Sequence, residues 1–227
     1  TWPVPDAISD TVRVKIEDPA VGSNTESHAS GNFVIRGSIL VTSPTGVGIN
    51  KKIWICSESN DINYTVHGSI ANVQLRLSLD NGASYLDENI ILNSVAAGPG
   101  AHTYSWPVVD TTSTQAMIKV VQVGKTTIYD ESDPFTIRGG FTISQPNSSA
   151  RWLSGSVGNT ISWLTKGIIP KVYIRYTIDA GSNWNFINDG SQINNVESYS
   201  AAIPSVVSYN QAQIKISDVN DAAAAET

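Results

Sequence analysis

This chain repeats itself, and that feature limits its fold more than any other. Residues 72–85 (NVQLRLSLDNGASY) align with residues 171–184 (KVYIRYTIDAGSNW) at a spacing of 99, and Ile62-Asn63-Tyr64 aligns with Ile161-Ser162-Trp163 at the same spacing. Trp54 matches Trp152, and Thr42-Ser43-Pro44 matches Ser144-Gln145-Pro146. Downstream, Ala116-Met117-Ile118-Lys119-Val120 matches Ala212-Gln213-Ile214-Lys215-Ile216. A period near 100 residues holds one complete β-sandwich, so each copy is expected to be a structural unit stacked on its neighbours.

A third, partial copy opens the chain. Trp2-Pro3-Val4 matches Trp106-Pro107-Val108, Val14-Lys15-Ile16 matches Ile118-Lys119-Val120, and Phe33-Val34-Ile35-Arg36-Gly37 matches Phe135-Thr136-Ile137-Arg138-Gly139. The expected division is therefore residues 1–37 as the C-terminal strands of a preceding repeat, 38–139 as a complete repeat, and 140–227 as a repeat lacking its last strand. On this reading the 227 residues are a window on a longer array.

Within each copy the apolar residues alternate. Val73, Leu75, Leu77 and Leu79 form one series, and Val172, Ile174, Tyr176 and Ile178 form the other. A period of two denotes strands with one buried face. Clusters of Gly, Asn, Asp and Pro separate short β-rich runs, and no window carries an amphipathic helical pattern. The expected fold class is all-β, as tandem immunoglobulin-like sandwiches.

Charge and cysteine content exclude several classes. The formal net charge is −6, and the 14 basic residues are scattered (Arg13 and Lys15, Lys51 and Lys52, Lys171 and Arg175), which does not suit phosphate-backbone binding. No apolar run is long enough to span a bilayer as a helix. Cys56 is the single cysteine, so no intrachain disulfide can form and each sandwich depends on its core. Cys56 is expected to be a buried, inert thiol.

The succession I-x-x-P, W, I-x-W, G, V-x-I-x-x-[ST]-x-D-x-G-x-x-W, Y, P and I-K runs through the second full copy. It is carried there by Ile143, Pro146, Trp152, Ile161, Trp163, Gly167, Val172, Ile174, Thr177, Asp179, Gly181, Trp184, Tyr199, Pro204, Ile214 and Lys215. It resembles the sandwich module repeated in large bacterial and archaeal surface proteins and found in the fungal Ser/Thr-rich, GPI-anchored cell-wall family. The resemblance implies an extracellular structural or adhesive spacer. The first full copy departs in carrying Tyr64 and Tyr85 at two of the Trp positions, and the second carries Ala201-Ala202 where Trp106 stands.

The most distinctive short motif is Ser78-x-Asp80-x-Gly82-x-x-Tyr85, repeated as Thr177-x-Asp179-x-Gly181-x-x-Trp184. It resembles the Asp box of sialidase-type propellers, but a propeller needs one copy per four-stranded blade, and here several more strands intervene. The motif is expected to staple a turn: Asp accepts backbone N–H groups, Gly supplies a positive φ, and the aromatic packs beneath. Tyr64 and Trp163 alternate with polar neighbours and are expected in the core, whereas Trp54 and Trp152 are expected to cover a sandwich end. An exposed indole among them would instead stack on a sugar.

Acidic residues gather at the repeat junctions: Asp130, Glu131 and Asp133 in the first full copy, and Asp218 and Asp221 in the second. Calcium takes six to eight oxygen ligands, often carboxylates at an interdomain seam, so calcium is the one cofactor considered, against a solvated loop. Asn63-Tyr64-Thr65 and Asn147-Ser148-Ser149 are glycosylation acceptor tripeptides. His28, His67 and His102 occupy non-equivalent positions of the repeat, and no hydrolase or nucleotide-binding motif occurs, so no catalytic residues are assigned. The expected role is a non-enzymatic segment of a surface layer, sheath, filament or stalk on the cell surface, whose partners are neighbouring repeats and further copies. The alternatives are an adhesin that binds a carbohydrate or host-surface ligand through its loops, and an accessory module of a secreted hydrolase.

Overall fold

The computed structural model describes residues 1–20, 28–208 and 210–221, with the backbone alone at 225 and 226. Among these residues there are strands and two short 3-10 turns but no α-helix. The chain opens with β1 (Ser9–Val12), β2 (Lys15–Ile16), β3 (His28–Ala29) and β4 (Phe33–Ile35). The next strands are β5 (Ser38–Ser43), β6 (Ile53–Ile55), β7 (Ser59–His67), β8 (Asn72–Ser78), β9 (Ile90–Ala96) and β10 (Gly100–Pro107). They are followed by β11 (Ser113–Gln122), β12 (Tyr129–Glu131) and β13 (Phe135–Arg138). The last full set is β14 (Gly140–Gln145), β15 (Asn159–Lys166), β16 (Lys171–Thr177), β17 (Asn185–Phe186) and β18 (Ile193–Asn194), then β19 (Ser198–Ala201), β20 (Gln213–Asp218) and β21 (Ala225–Glu226).

The strands fall into two compact units. The first comprises Thr1–Lys52, Asp61–Trp106 and Gln115–Phe135. In it β5, β7 and β10 form one sheet, while β8 pairs antiparallel with both β9 and β11, and β12 adds to β11. Ile39, Val41, Ile62, Tyr64 and Val66 are buried on the first sheet, and Val73, Leu75, Leu77, Ile118 and Val120 on the second. The opening residues form two-stranded pairs, β1 with β4 and β2 with β3.

The second unit comprises Ile53–Asn60, Pro107–Thr114 and Thr136–Thr227. Sheet β14-β15-β19 faces sheet β17-β16-β20-β21 across one core. The first sheet contributes Phe141, Ile161, Trp163 and Ala201, and the second Val172, Ile174, Ile214 and Ile216. Two antiparallel sheets closing on one apolar layer make an immunoglobulin-like sandwich, so the chain is an all-β protein of this class. Strands β6 and β13 pair in parallel in this unit, with Ile137 opposite Trp54.

The sequence repeat is also a repeat of register. Leu77 opposes Ile118 and Leu75 opposes Val120, as Tyr176 opposes Ile214 and Ile174 opposes Ile216. A bulge falls between Val41 and Ser43 on β5 and recurs between Ile143 and Gln145 on β14. In the partial copy, Lys15 pairs with Ala29 and Ile16 with His28, the counterparts of Lys119 with Glu131 and Val120 with Asp130.

One expectation is corrected. The alternation stops before Leu79 and Ile178, and Ile178 is exposed. The strands end at Ser78 and Thr177, whose hydroxyl-bearing side chains are fully buried instead.

Candidate functional site

The two Asp turns are built alike. Ser78 Oγ donates to Asp80 Oδ1 (2.6 Å) and accepts from the Gly82 N–H (2.9 Å), and Asp80 Oδ1 also accepts from the Ser84 N–H (2.9 Å). Thr177 Oγ1 donates to Asp179 Oδ1 and accepts from the Gly181 N–H (3.1 Å), and the Asn183 N–H donates to Asp179 Oδ1 (2.9 Å). A buried hydroxyl thus has both its hydrogen and a lone pair used, which is what allows a polar side chain at the end of a core strand. These bonds favour the ionised carboxylate: the Ser78 hydroxyl, then Ser84, hold Asp80 at about 2, and the Thr177 hydroxyl, then Asn183, hold Asp179 at about 2.

The aromatic of each motif lies against its glycine. A Cβ on Gly82 would stand 3.6 Å from the Tyr85 hydroxyl, and one on Gly181 would stand 3.5 Å from the Trp184 ring. Sequence reasoning missed the cation over each ring. Lys119 Nζ lies 4.8 Å from the Tyr85 ring centre and Lys215 Nζ 5.5 Å from that of Trp184. The signal was present in the recurring Ile-Lys pair, a charged residue kept in an apolar strand in both copies. Lys119 also pairs with Glu131 (3.1 Å) and covers Tyr129. Burial, then Glu131, pushes the Tyr85 phenol above its ordinary range.

A second construction also recurs, once in each compact unit. After β4, Gly37 approaches Gly68 so closely that a Cβ on Gly68 would lie 3.2 Å from the Gly37 Cα, and one on Gly37 would lie 2.8 Å from Ile70. After β13, a Cβ on Gly167 would lie 3.3 Å from the Gly139 Cα, and one on Gly139 would lie 2.6 Å from Ile169. Asp6 Oδ1 accepts the Ser69 N–H (2.7 Å), and at the equivalent place the Asp110 carbonyl accepts the Ile168 N–H (3.1 Å). The later seam is reinforced by Lys166 with Glu58 (2.6 Å) and Arg138 with Asp221 (2.9 Å). Cys56 is buried against it, with its Sγ 2.8 Å from the Cβ position of Gly167. Burial, then the Asp110 charge, pushes its thiol up to about 11.

The junction carboxylates each meet a protein donor. Asp130 accepts the Val41 N–H (2.7 Å), Asp133 the Gly46 N–H (2.9 Å), and Asp218 the Asn220 N–H (2.9 Å). Glu131 is taken up by Lys119 and Asp221 by Arg138. Among the described residues, no three His, Cys, Asp or Glu side chains gather in a metal-binding group. Asn147 is exposed, and its Oδ1 accepts the Ser149 N–H; Asn63 Oδ1 accepts from Thr103. Tyr64, Trp54 and Trp163 are buried, and Trp152 packs partly against the core. His102 stacks on Tyr64 and meets the Gly98 carbonyl, a structural role.

No family model and no curated protein matches the chain. Among solved structures, it is similar to a tetra-tandem repeat in the extending region of a large adhesion protein, at 15% identity and a TM-score of 0.35, covering 85% of this chain and 48% of that one. It is also similar to domains A168–A170 of titin, at 10% identity and a TM-score of 0.29, covering 90% of this chain and 66% of that one. The chain therefore spans about half and two thirds of the lengths of these two proteins. The fold assignment rests on the strand topology. Among the described residues, no helix is long and apolar enough to cross a membrane.

Proposed function

We propose that this chain is a structural segment of an extracellular or cell-surface protein in which immunoglobulin-like repeats stack end to end, as in a surface layer, sheath, filament or stalk. The repeats are taken as residues 1–37, 38–139 and 140–227. The observation that carries the reading is the seam built twice from the same parts. An Arg-Gly pair runs straight into the next strand, β5 at Ser38 or β14 at Gly140. A second glycine then crosses the first at van der Waals distance. A junction without a spacer has fewer free backbone bonds than a flexible linker does. Repeated short seams suit a protein that carries length and load, and the polar, weakly charged composition (15% charged residues) suits an exterior setting. Calcium at the acidic junction residues and glycans at Asn63 and Asn147 belong to this proposal as adjuncts.

Electron microscopy of the purified protein, with and without calcium, combined with protease shaving of intact cells, tests the reading. Rods, sheets or filaments with a period matching stacked sandwiches, and loss of the protein on shaving, support it. Loss of order in chelator would assign calcium to the junctions. Flexible monomers protected from shaving would overturn it.

A further inference from the structure

The outer face of sheet β17-β16-β20-β21 concentrates positive charge and aromatic rings. Lys171, Tyr173 and Arg175 alternate along β16 with the buried Val172 and Ile174, so they point away from the core. On β20, Lys215 and Ser217 alternate with Ile214 and Ile216 in the same way. Arg175 stands directly opposite Lys215, and Phe186 of β17 stands opposite Arg175 on its other side.

The first unit contains the same opposed pair of cations, Arg76 across from Lys119, and neutralises both. Asp87 meets Arg76 at 2.6 Å, and Glu131 meets Lys119 at 3.1 Å. Asp87 comes from the 3-10 turn of residues 87–89. The second unit has no such turn, because Asn185 alone separates Trp184 from Phe186, where residues 86–89 separate Tyr85 from Ile90. Among the described residues, Lys171, Arg175 and Lys215 form no ion pair. Like charges directly opposed across two strands are destabilising. Here that cost stands without a carboxylate beside it, in a chain whose net charge is −6.

Aromatic rings hold these cations in place. The Arg175 guanidinium lies 4.4 Å from the Phe186 ring centre and 5.2 Å from that of Tyr173, and the two rings meet edge to face at 5.3 Å. One of its N–H groups donates to Ser217 Oγ (3.2 Å), which leaves the rest of the fork open to a planar anion. Lys215 Nζ lies 5.5 Å from the Trp184 ring centre. Gln192 Nε2 donates to the Tyr173 hydroxyl (3.3 Å) and fixes that ring. Phe186 is exposed, and Tyr173, Arg175, Trp184 and Lys215 are half-buried.

We propose that this face of the second unit binds an acidic polysaccharide, with Arg175 and Lys215 meeting its carboxylates and Phe186 and Tyr173 packing against the C–H faces of its sugar rings. The carboxylates bring the counter-charge that the first unit supplies from its own chain, and a planar carboxylate matches the guanidinium fork. A flat sheet face suits an extended polymer laid across the strands, whereas a compact ligand needs an enclosing pocket. The rigid pyranose ring presents a flat apolar face to an aromatic and loses less freedom on binding than a flexible acidic peptide does. The choice of a polysaccharide over a nucleic acid rests on the extracellular reading above, to which it adds a ligand class.

The test is isothermal titration of the full chain with hexameric oligogalacturonate in calcium-free buffer, beside maltohexaose as the neutral sugar, a poly-glutamate peptide and an oligothymidylate. The expected result is binding of oligogalacturonate in preference to the other three, weakening as salt is raised. Arg175→Gln should reduce the affinity by roughly tenfold or more, and so should Phe186→Asp, which places a carboxylate opposite the guanidinium. Arg76→Gln, at the neutralised pair of the first unit, should leave it unchanged. Backbone amide NMR shifts at Tyr173, Arg175, Phe186 and Lys215 of the unaltered chain report the site directly, even where a variant is poorly folded. No shift at these residues with millimolar oligogalacturonate overturns the proposal, and so does equal binding of maltohexaose, poly-glutamate or oligothymidylate. None of these outcomes bears on the electron microscopy or the cell shaving, so the two readings fail separately.

Discussion

Gly167 passes Gly139 at a distance that leaves no room for a side chain. With φ at +83°, its Cβ would stand 2.8 Å from the Cys56 Sγ and 3.3 Å from the Gly139 Cα. Gly68 and Gly37 repeat the crossing at equivalent positions of the sequence repeat, each pair within one compact unit.

Gly167→Ala is therefore expected to cost about 3 kcal/mol, combining the left-handed backbone with overpacking. Gly98→Ala, with no atom within 4 Å of its Cβ position, is the control and should be near neutral. Urea unfolding checks both. In a double-mutant cycle, Cys56→Ala should recover part of the cost, because it removes the nearest obstructing atom.

The Asp turns give the acid limb of stability a defined position. Asp80 and Asp179 are each lowered from 3.8 to about 2 by hydroxyl and amide donors. A depressed folded-state value means that their contribution is full above the unfolded value and is lost as pH falls from about 4 through 2. Thermal melts across that window should show Tm falling toward low pH. In the Asp80→Asn/Asp179→Asn double variant the fall should be shallower, from a lower plateau at neutral pH.

Cys56 is fully buried at the second seam, and its thiol is raised to about 11, so the thiolate is scarce at pH 8. Native protein should react with a thiol-specific disulfide reagent at less than roughly one hundredth of the rate seen in denaturant. Fast labelling of the native chain would show that the seam opens.

Much of this arrangement was legible in the sequence because it depends on local period. The alternation over β8 and β16 placed Val73, Leu75, Val172 and Ile174 inside, and each is fully buried. The Asp-x-Gly spacing gave the turns. What escaped depends on partners distant in the chain. Residues 151–153, which form no strand, share the matched tryptophan with β6 but carry Arg151 and Leu153 where β6 has Ile53 and Ile55, a difference too small to settle strand structure by itself. Strand structure at such positions follows from a neighbouring strand more than from propensity. The Gly37–Gly68 and Gly139–Gly167 crossings likewise join glycines that look like ordinary turn residues in one dimension. The burial of Ser78 and Thr177 runs against side-chain polarity and makes sense only once the turn's hydrogen bonds are counted.

Ala180 gives the most discriminating test of the turn geometry. It sits at φ +54°, in the left-handed region, where its counterpart Asn81 adopts +61°. An alanine there pays the steric cost of its Cβ against the backbone without the local hydrogen bonding that lets asparagine tolerate the conformation. Ala180→Asn is expected to stabilise the chain by about 0.5–1 kcal/mol, and Asn81→Ala to destabilise it by a similar amount. Both residues are exposed or at a turn surface, so neither exchange disturbs the core, and the opposite signs separate a backbone effect from a change in packing. Equilibrium urea unfolding of the two variants reads the result, and stabilisation or destabilisation by both would show that the two turns do not share one geometry.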